Sequence, residues 1–483
     1  MRQGSLWSTL RAAENRILSI KFLNNRLIYF AIFFSSLCLS AQLVAPPLAG
    51  AISIEKESQL GKKFLASIRR HFQFLNDEYA QSYINRLGQT LSQGIETRPF
   101  PFHYYIIKHN DLNAFAGPGG HIFIYSGLIS ALDNADELAG VLAHEMGHIT
   151  ARHLSERIEQ GKKINIATMA AILAGVFVGG KVGAALSTGS VAAGIQTQLR
   201  YSRQDERQAD QLGLKYASLA GFDPSGLMHA LTVIQKYSWM ESNRIPPYLR
   251  THPTGPERIS NLESMLPNFP PHPSPEAIQL RRQYPIFRTI VRAKSINPQE
   301  AEQLFSKDLD EGRDVALAHL GLGIVYKEKS EYAEAVKHLK SALNGMASCT
   351  AIWMELAESY QLTGQDSQAI ELFRKVLGEN PNNHKAMLLL AESYENLGRY
   401  GEAITLLKRL SLSDAADPKV YYHLGMAYGR LNKLAIAHYY FGLYFKKRGS
   451  LEKARFHFLE ARRLAKGNVS LSQKIRTASK GIL

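Results

Sequence analysis

The sequence predicts two folded parts: an α+β domain, mostly helical with a small sheet, and behind it an all-α solenoid of helical hairpins. The α+β domain is predicted by short strand-like segments that lie between amphipathic helical segments. The solenoid is predicted by a 34-residue period in the second half of the chain. A hydrophobic fraction of 45% and a charged fraction of 20% are ordinary for globular domains. The 483 residues suffice for about three domains.

Residues 1–51 are predicted to be a signal peptide for export. The basic region of this segment ends at Arg26, and Leu27–Ala45 carries no charge. Ala49–Ala51 offers the small residues of a cleavage site, so the mature chain is expected to begin near Ile52. The alternative is a retained membrane anchor, because the uncharged stretch is nearly long enough to span a bilayer.

The α+β domain is assigned to residues 52–266. Helical periodicity begins at Glu55 and returns over 76–95. The predicted strands are Phe102–Lys108, Asn113–Ala116 and His121–Tyr125, the last two joined by a glycine-rich turn. A free strand edge can hold an extended substrate by backbone pairing. A purely structural hairpin accounts for the same residues equally well.

The domain is organised around a helical segment that contains His144, Glu145 and His148. Two histidines four residues apart share one face of a helix and can bind one zinc ion. Glu145 can take a proton from a zinc-bound water, which is the chemistry of a metalloprotease. The helix is expected to continue to about Gln160, and His153 is expected to turn away from the metal as an exposed or packed residue. The alternative is a surface helix with two solvated histidines.

An acidic motif follows at Glu206 and Asp210, which are one helical turn apart. Glu206 can be the third zinc ligand, and Asp210 can hold a zinc-binding histidine through its second ring nitrogen. Alone, such a pair usually marks a solvated helix face, but with the histidine motif it indicates a metal site. The apolar stretch between the motifs, Ile164–Gln198, predicts a pair of buried helices or, alternatively, an element that faces the membrane or the substrate.

These motifs resemble those of the gluzincin metallopeptidases of the HtpX and CAAX-prenyl-protease type. The resemblance rests on residues 144–148, 206–210, 113–116 and the loop that contains His252. It implies a zincin-type metalloprotease domain with one Zn²⁺ per chain, bound by His144, His148 and Glu206. It also implies that Glu145 is the general base and that Asp210 supports a metal ligand.

His252 precedes Pro253 and is most simply a turn residue. The motif suggests two other roles. His252 either occupies the fourth position on zinc in a resting state or stabilises the oxyanion during the reaction. Arg258 is expected to anchor this loop.

The second part is predicted to be a tetratricopeptide solenoid over residues 315–483, preceded by a proline-rich linker and connecting helices at 267–314. Leucine, small, tyrosine and alanine positions recur with the 34-residue period, beginning with Leu322, Gly323, Tyr326 and Ala335. Each repeat is expected to be a pair of antiparallel helices that stacks on its neighbours, with Ala454–Lys466 as the capping helix. The concave surface of such a solenoid favours partner binding, although a purely structural role fits the same pattern.

Two functions of different classes follow from these patterns. The first is a zinc endopeptidase, and the second is a chaperone or adaptor whose zinc site is mainly structural or latched. With an export signal and a repeat tail, the resemblance implies a periplasmic enzyme of outer-membrane protein quality control. It implies misfolded or stalled β-barrel proteins as substrates and the barrel assembly machinery as partner of the repeats. The net charge of +15 suits peripheral contact with an anionic membrane or acidic partners, and no nucleic-acid-binding motif accompanies it.

Overall fold

The computed structural model describes residues 52–160, 201–240, 246–253, 255–412 and 417–483. The predicted signal peptide and the apolar stretch Ile164–Gln198 lie outside the described residues. Within the described ranges, the helices are all too short or too polar to cross a membrane.

The first part is mostly helical, and its helices begin where short polar side chains can cap them. Ser53, Asp77 and Asn134 each accept a hydrogen bond from a backbone N–H of the first helical turn that follows. These helices are α1 (Ile54–His71), α2 (Glu78–Ser92), α3 (Ser126–Ala131), α4 (Ala135–Thr150), α5 (His153–Gln160), α6 (Arg203–Ala220), α7 (Ser225–Met240), α8 (Pro247–Thr251) and α9 (Pro256–Met265).

The predicted small sheet has three strands, β1 (His103–Ile107), β2 (Ala114–Gly117) and β3 (His121–Tyr125). The strand order is β1-β3-β2, with β1 parallel and β2 antiparallel to β3. The turn between β2 and β3 contains Gly119 at φ 74°, a conformation that favours glycine. β2 and β3 are both buried along their whole length, and β2 forms one edge of the sheet and packs against α4. The sheet therefore supports the helix that carries the histidine motif.

The expectation that the histidine helix continues to about Gln160 is wrong. α4 ends at Thr150, and Arg152 adopts a left-handed backbone conformation with φ 59°. The Arg152 side chain donates to the carbonyl of Ile52 and to Glu57, so contacts with the start of α1 stabilise the break. A new helix, α5, then begins at His153.

The second part is the predicted solenoid of helical hairpins. Its four repeats bury the recurring leucines and alanines, and the shared turn position is left-handed at Ser330, Gly364, Gly398 and Asn432. The helices are α12 (Val315–Glu328), α13 (Tyr332–Gly345), α14 (Thr350–Leu362), α15 (Asp366–Glu379), α16 (His384–Asn396), α17 (Tyr400–Leu410), α18 (Pro418–Arg430), α19 (Leu434–Lys447), α20 (Leu451–Leu464) and α21 (Val469–Ala478). The expected capping helix thus corresponds to α20, and α21 follows it.

A long helix joins the two hydrophobic cores. α10 (Pro275–Ser295) is followed by α11 (Pro298–Asp310) in the segment expected to be a linker with connecting helices. Tyr284 and Phe287 of α10 pack in the core of the first part, and Ile290 and Ala293 pack in the core of the repeats. One element therefore contributes to both cores, and the repeats are held against the first part.

A buried chain of alternating charges reinforces this junction. Lys294 of α10 donates to Asp77, which caps α2, and to Glu355 of the second repeat, at 2.5 and 2.7 Å. Lys327 of the first repeat contacts Glu355 and lies 2.8 Å from Glu358. Each of these charges has an opposite charge beside it, which is the condition under which burial of ions is tolerated.

Candidate metal centre

The histidine helix α4 is fully enclosed by the fold. His144, Glu145 and His148 are 0%, 0% and 1% exposed. This burial excludes the alternative of a surface helix with solvated histidines. Because α4 contacts β2, α6 and α7, its apolar residues face the core, and the face with both histidines turns toward α6.

Glycines let α4 and α6 approach closely enough to bring the two motifs together. A Cβ atom on Gly147 would lie 2.8 Å from the carbonyl oxygen of Ala209, and one on Gly213 would lie 3.1 Å from the backbone of His144. Neither position has room for a larger side chain without displacement of a backbone. This approach places Glu206 and Asp210 of α6 opposite the histidines of α4.

Four side chains converge with their donor atoms facing one another, namely His144, His148, Glu206 and His252. His144 Nε2 lies 3.0 Å from His148 Nε2 and 3.6 Å from a Glu206 oxygen. His252 Nδ1 lies 3.4 Å from His144 Nε2 and 3.0 Å from Glu206. Zinc–nitrogen bonds of 2.0–2.1 Å would place tetrahedral ligands about 3.4 Å apart. The spacing and the mixed nitrogen and oxygen donors therefore fit a zinc ion.

Neighbouring groups set which nitrogen of each histidine carries a proton. His144 Nδ1 lies 2.9 Å from Asp210, and a carboxylate oxygen accepts, so His144 Nε2 presents its lone pair to the centre. His153 Nε2 lies 3.1 Å from the Gln208 amide oxygen, which leaves His153 Nδ1 as an acceptor. His148 Nδ1, 3.0 Å away, then donates to it, and His148 Nε2 also faces the centre with its lone pair.

Arg258 binds both acidic residues from the far side. Its guanidinium lies 2.6 Å from Glu206 and 2.7 Å from Asp210, and the side chain is 7% exposed. Burial alone would raise the pKa of Glu206, but His252 and Arg258 hold it well below the usual value. Burial would likewise raise the pKa of Asp210, and Arg258 and His144 lower it. Both carboxylates are therefore ionised at neutral pH, as metal binding requires.

His252 lies at the end of α8 and is packed between two tyrosine rings. Tyr248 stacks on it with ring centroids 4.6 Å apart, and Tyr201 lies at 5.2 Å. Burial would lower the pKa of His252, but Glu206 and Glu145 raise it above the usual value. Its Nδ1 faces the donor cluster, and its Nε2 lies 3.6 Å from Glu145. His252 therefore lies next to both the donor cluster and Glu145.

Glu145 has a buried carboxylate that lacks hydrogen-bond donors among the described residues. Among the described residues, neither of its carboxylate oxygens receives a hydrogen bond, although both are buried. A buried carboxylate without donors is costly, so such a group in a native fold calls for a functional explanation. A water or substrate group between Glu145 and the donor cluster would supply the missing partner.

Two contributors to this centre were not found from the sequence. Tyr201 stacks on His148 with centroids 3.9 Å apart, and its buried hydroxyl has no hydrogen-bond partner among the described residues. His153, expected to point away, is 3% exposed and contacts His148 directly. No spacing rule reveals either contact, because the first depends on the path into α6 and the second on the break at Arg152.

Comparison with known proteins agrees with this geometry. Residues 77–266 match the Peptidase family M48 profile, and residues 364–425 match a tetratricopeptide repeat. The beta-barrel assembly-enhancing protease of Yersinia pestis is 31% identical over 243 residues, 49% of this chain and 50% of that protein. The protein of the same name from Escherichia coli K12 is 28% identical over 300 residues, 60% of each chain.

A third relative is the metalloprotease LoiP of Escherichia coli, which is 28% identical over 40% of this chain and 72% of its own length. The chain spans about half the length of the first curated relatives that it matches. The matched region contains the histidine helix, the acidic helix and the His252 loop. The chain thus contains a domain that matches Peptidase family M48, followed by residues that match a tetratricopeptide repeat.

Proposed function

We propose that this chain is a zinc-dependent endopeptidase that holds one Zn²⁺ through His144, His148 and Glu206. The observation that carries the proposal is the meeting of these donors beside a buried carboxylate, Glu145, that has no hydrogen-bond donor among the described residues. When bound, zinc would polarise a substrate carbonyl and lower the pKa of a water molecule toward neutrality.

Proton transfer, orientation of the metal ligands and substrate binding are assigned to residues of the chain itself. Glu145 is placed to take a proton from the attacking water and to pass it to the leaving amine. Asp210 and the His153–Gln208 pair orient the two histidines, and Arg258 holds Glu206 and Asp210 in place. The buried edge strand β2, which packs against α4, is proposed as the strand with which an extended substrate pairs.

His252 is proposed to be a reversible occupant of the fourth position. Its Nδ1 lies among the donor atoms, which supports a resting state in which it blocks that position. On displacement, the same ring could donate to the oxyanion. Substitution of His252 by alanine separates the two roles. Activity would rise if blocking dominates, collapse if oxyanion stabilisation dominates, and stay constant if neither role is real.

The proposed substrates are misfolded or stalled outer-membrane β-barrel proteins in the periplasm, with the repeats as the docking site for the barrel assembly machinery. The relatives from Yersinia pestis and Escherichia coli K12 carry the name beta-barrel assembly-enhancing protease, which supports this substrate class. The repeats also support protein partners, since stacked helical hairpins present extended binding surfaces. The export signal predicted over residues 1–51 supports the location.

A chaperone or adaptor with a latched zinc site is the second candidate. It is favoured by His252, which completes a set of four protein donors, the number that usually closes a structural zinc site. Glu145 argues against it, because a structural site has no use for a buried base without partners.

The deciding experiment compares the purified mature chain with a Glu145→Gln variant on an unfolded β-barrel protein. Zinc content is measured on the same preparations. Cleavage by the parent and not by the zinc-loaded variant supports the peptidase. If neither cleaves although both hold zinc, and His252→Ala does not restore cleavage, the peptidase proposal is wrong and the chaperone gains.

A further inference from the structure

The C-terminal end of the described solenoid carries a large share of the positive charge. Residues 446–483, which we call the basic end, contain eleven lysines and arginines and two glutamates, a net charge of +9. The whole chain has a net charge of +15. These residues comprise the end of α19 and the helices α20 and α21, which pack together around Phe458 and Ile475.

Most of this charge is not neutralised within the fold. Arg463 pairs with Glu460 at 2.8 Å, and Lys446 donates to the carbonyl of Ala478. In the part of the chain that the structure describes, six other basic side chains of the basic end are exposed and form neither an ion pair with a carboxylate nor a cation–π contact, unlike Lys447, Arg448 and Lys453. They are Arg455, Arg462, Lys466, Lys474, Arg476 and Lys480.

Exposed apolar side chains accompany these cations on the same helices. Phe456 is 58% exposed, Leu451 is 55% exposed, Leu459 is 38% exposed and Val469 is 84% exposed. On α20, Arg455, Leu459 and Arg462 are spaced by four and three residues, which places them on one side of the helix. Large apolar side chains beside arginines are typical of helices that lie in a membrane interface.

A shallow depression lies between α20 and α21. Its volume is about 1040 Å³, and its lining includes Arg462, Arg476 and Lys480 together with Val469 and Ile475. Three cations at the rim of a partly apolar depression match an anionic headgroup attached to an acyl chain. An acidic protein would pair with the cations but would leave Phe456 and Val469 without a partner.

We propose that the basic end is a docking surface for an anionic phospholipid bilayer. The cations would contact lipid phosphates, and Phe456, Leu459 and Val469 would enter the boundary between headgroups and acyl chains. Such a contact would keep the catalytic domain near membrane-associated substrates. The inference does not depend on the peptidase proposal, because it uses none of the residues of the metal centre.

The test is sedimentation of the zinc-loaded mature chain with lipid vesicles. The vesicles contain either phosphatidylglycerol with phosphatidylethanolamine or phosphatidylcholine alone. The test variant replaces four unpaired cations by glutamine, namely Arg455, Arg462, Lys466 and Lys474. The control variant removes the same charge from exposed lysines elsewhere, namely Lys236, Lys337, Lys340 and Lys375.

The parent is expected to bind the anionic vesicles and not the neutral ones, and high salt is expected to weaken binding. Each basic residue near an anionic surface strengthens binding by about 5-fold, so the affinity of the test variant for the anionic vesicles should fall by about 100-fold or more. The control variant should lose less than about 10-fold. Phe456→Ser alone should lower the affinity for the anionic vesicles by about 5- to 10-fold, because the variant has no aromatic ring to transfer from water into the membrane.

Equal binding of the test variant and the parent would overturn the proposal, as would absence of parent binding to anionic vesicles. Binding of the parent to polyglutamate but not to vesicles would show that the basic end recognises acidic protein, and the lipid proposal would be wrong. Circular dichroism checks that each variant is folded. All variants are also assayed for cleavage of a soluble unfolded protein. Loss of vesicle binding with cleavage intact bears only on the lipid proposal, and loss of cleavage with vesicle binding intact bears only on the peptidase proposal.

Discussion

Substitution of Gly147 by alanine tests whether the close approach of α4 and α6 creates the metal centre. The new methyl carbon would lie 2.8 Å from the carbonyl oxygen of Ala209, whereas ordinary contacts begin at 3.4 Å. α6 would therefore have to move by roughly 0.6 Å, which exceeds the tolerance of about 0.5 Å for a preorganised site. Because Glu206 and Asp210 are carried by α6, both would move relative to His144.

The expected effect has two components. Overpacking costs about 1–3 kcal/mol, and alanine recovers about 1 kcal/mol because it is a better helix former than glycine, so the net loss of stability is about 1 kcal/mol. Zinc affinity should fall about 10- to 100-fold, as when residues that support metal ligands are changed. Urea unfolding of the metal-free chain measures the first component, and zinc titration against a competing chelator measures the second.

Gly140→Ala is the matched control, because it lies on the same helix but its added methyl would meet the backbone of Leu227 in α7 at 2.4 Å. This variant should be destabilised at least as much and should bind zinc with the affinity of the parent. If Gly147→Ala loses stability but keeps its zinc affinity, the close approach positions no ligand and the reasoning is refuted. Equal loss of zinc affinity in both variants would lead to the same conclusion.

Three further predictions concern the junction, the repeats and the site. Lys294→Met should lose about 3–5 kcal/mol of unfolding free energy in urea, because Asp77 would stay buried without its cation and Glu355 would keep only Lys327; a loss under about 1 kcal/mol would contradict this. Burial lowers the pKa of His423, but two neighbouring glutamates raise it to about 9. The contact of protonated His423 with these glutamates therefore contributes up to about 3 kcal/mol to the free energy of unfolding. This contribution is fully present below about pH 6.5 and is lost as the pH rises through about 9. Unfolding of the parent and His423→Gln at about pH 6 and about pH 10 should therefore differ only at the lower pH, and a constant difference would refute the assignment. Tyr201→Phe should keep its zinc but lose about 10- to 100-fold in peptide cleavage if the buried hydroxyl donates to the reacting carbonyl, and unchanged cleavage would dismiss that role.

The local patterns of the sequence were sufficient for the architecture. The 34-residue period predicts the solenoid because each repeat must present the same side chains to its neighbours. Short apolar and aromatic runs bounded by turn residues predict the three short strands, and the four-residue spacing of His144 and His148 predicts a shared helix face. These features depend on interactions within one element or between adjacent ones, so they can be predicted from the order of residues in the sequence.

Other features were decided only by tertiary contacts. The break at Arg152 arises because its side chain reaches Ile52 and Glu57, about a hundred residues earlier, and this break places His153 against His148. α10 lies in the segment predicted to be a linker with connecting helices, yet it belongs to two cores at once. Residue types and spacing were enough to identify His144, His148 and Glu206 as possible metal ligands. The meeting of the four donor side chains depends on tertiary contacts, because Gly147 and Gly213 let the backbones of α4 and α6 approach closely and the end of α8 brings His252 to the same point.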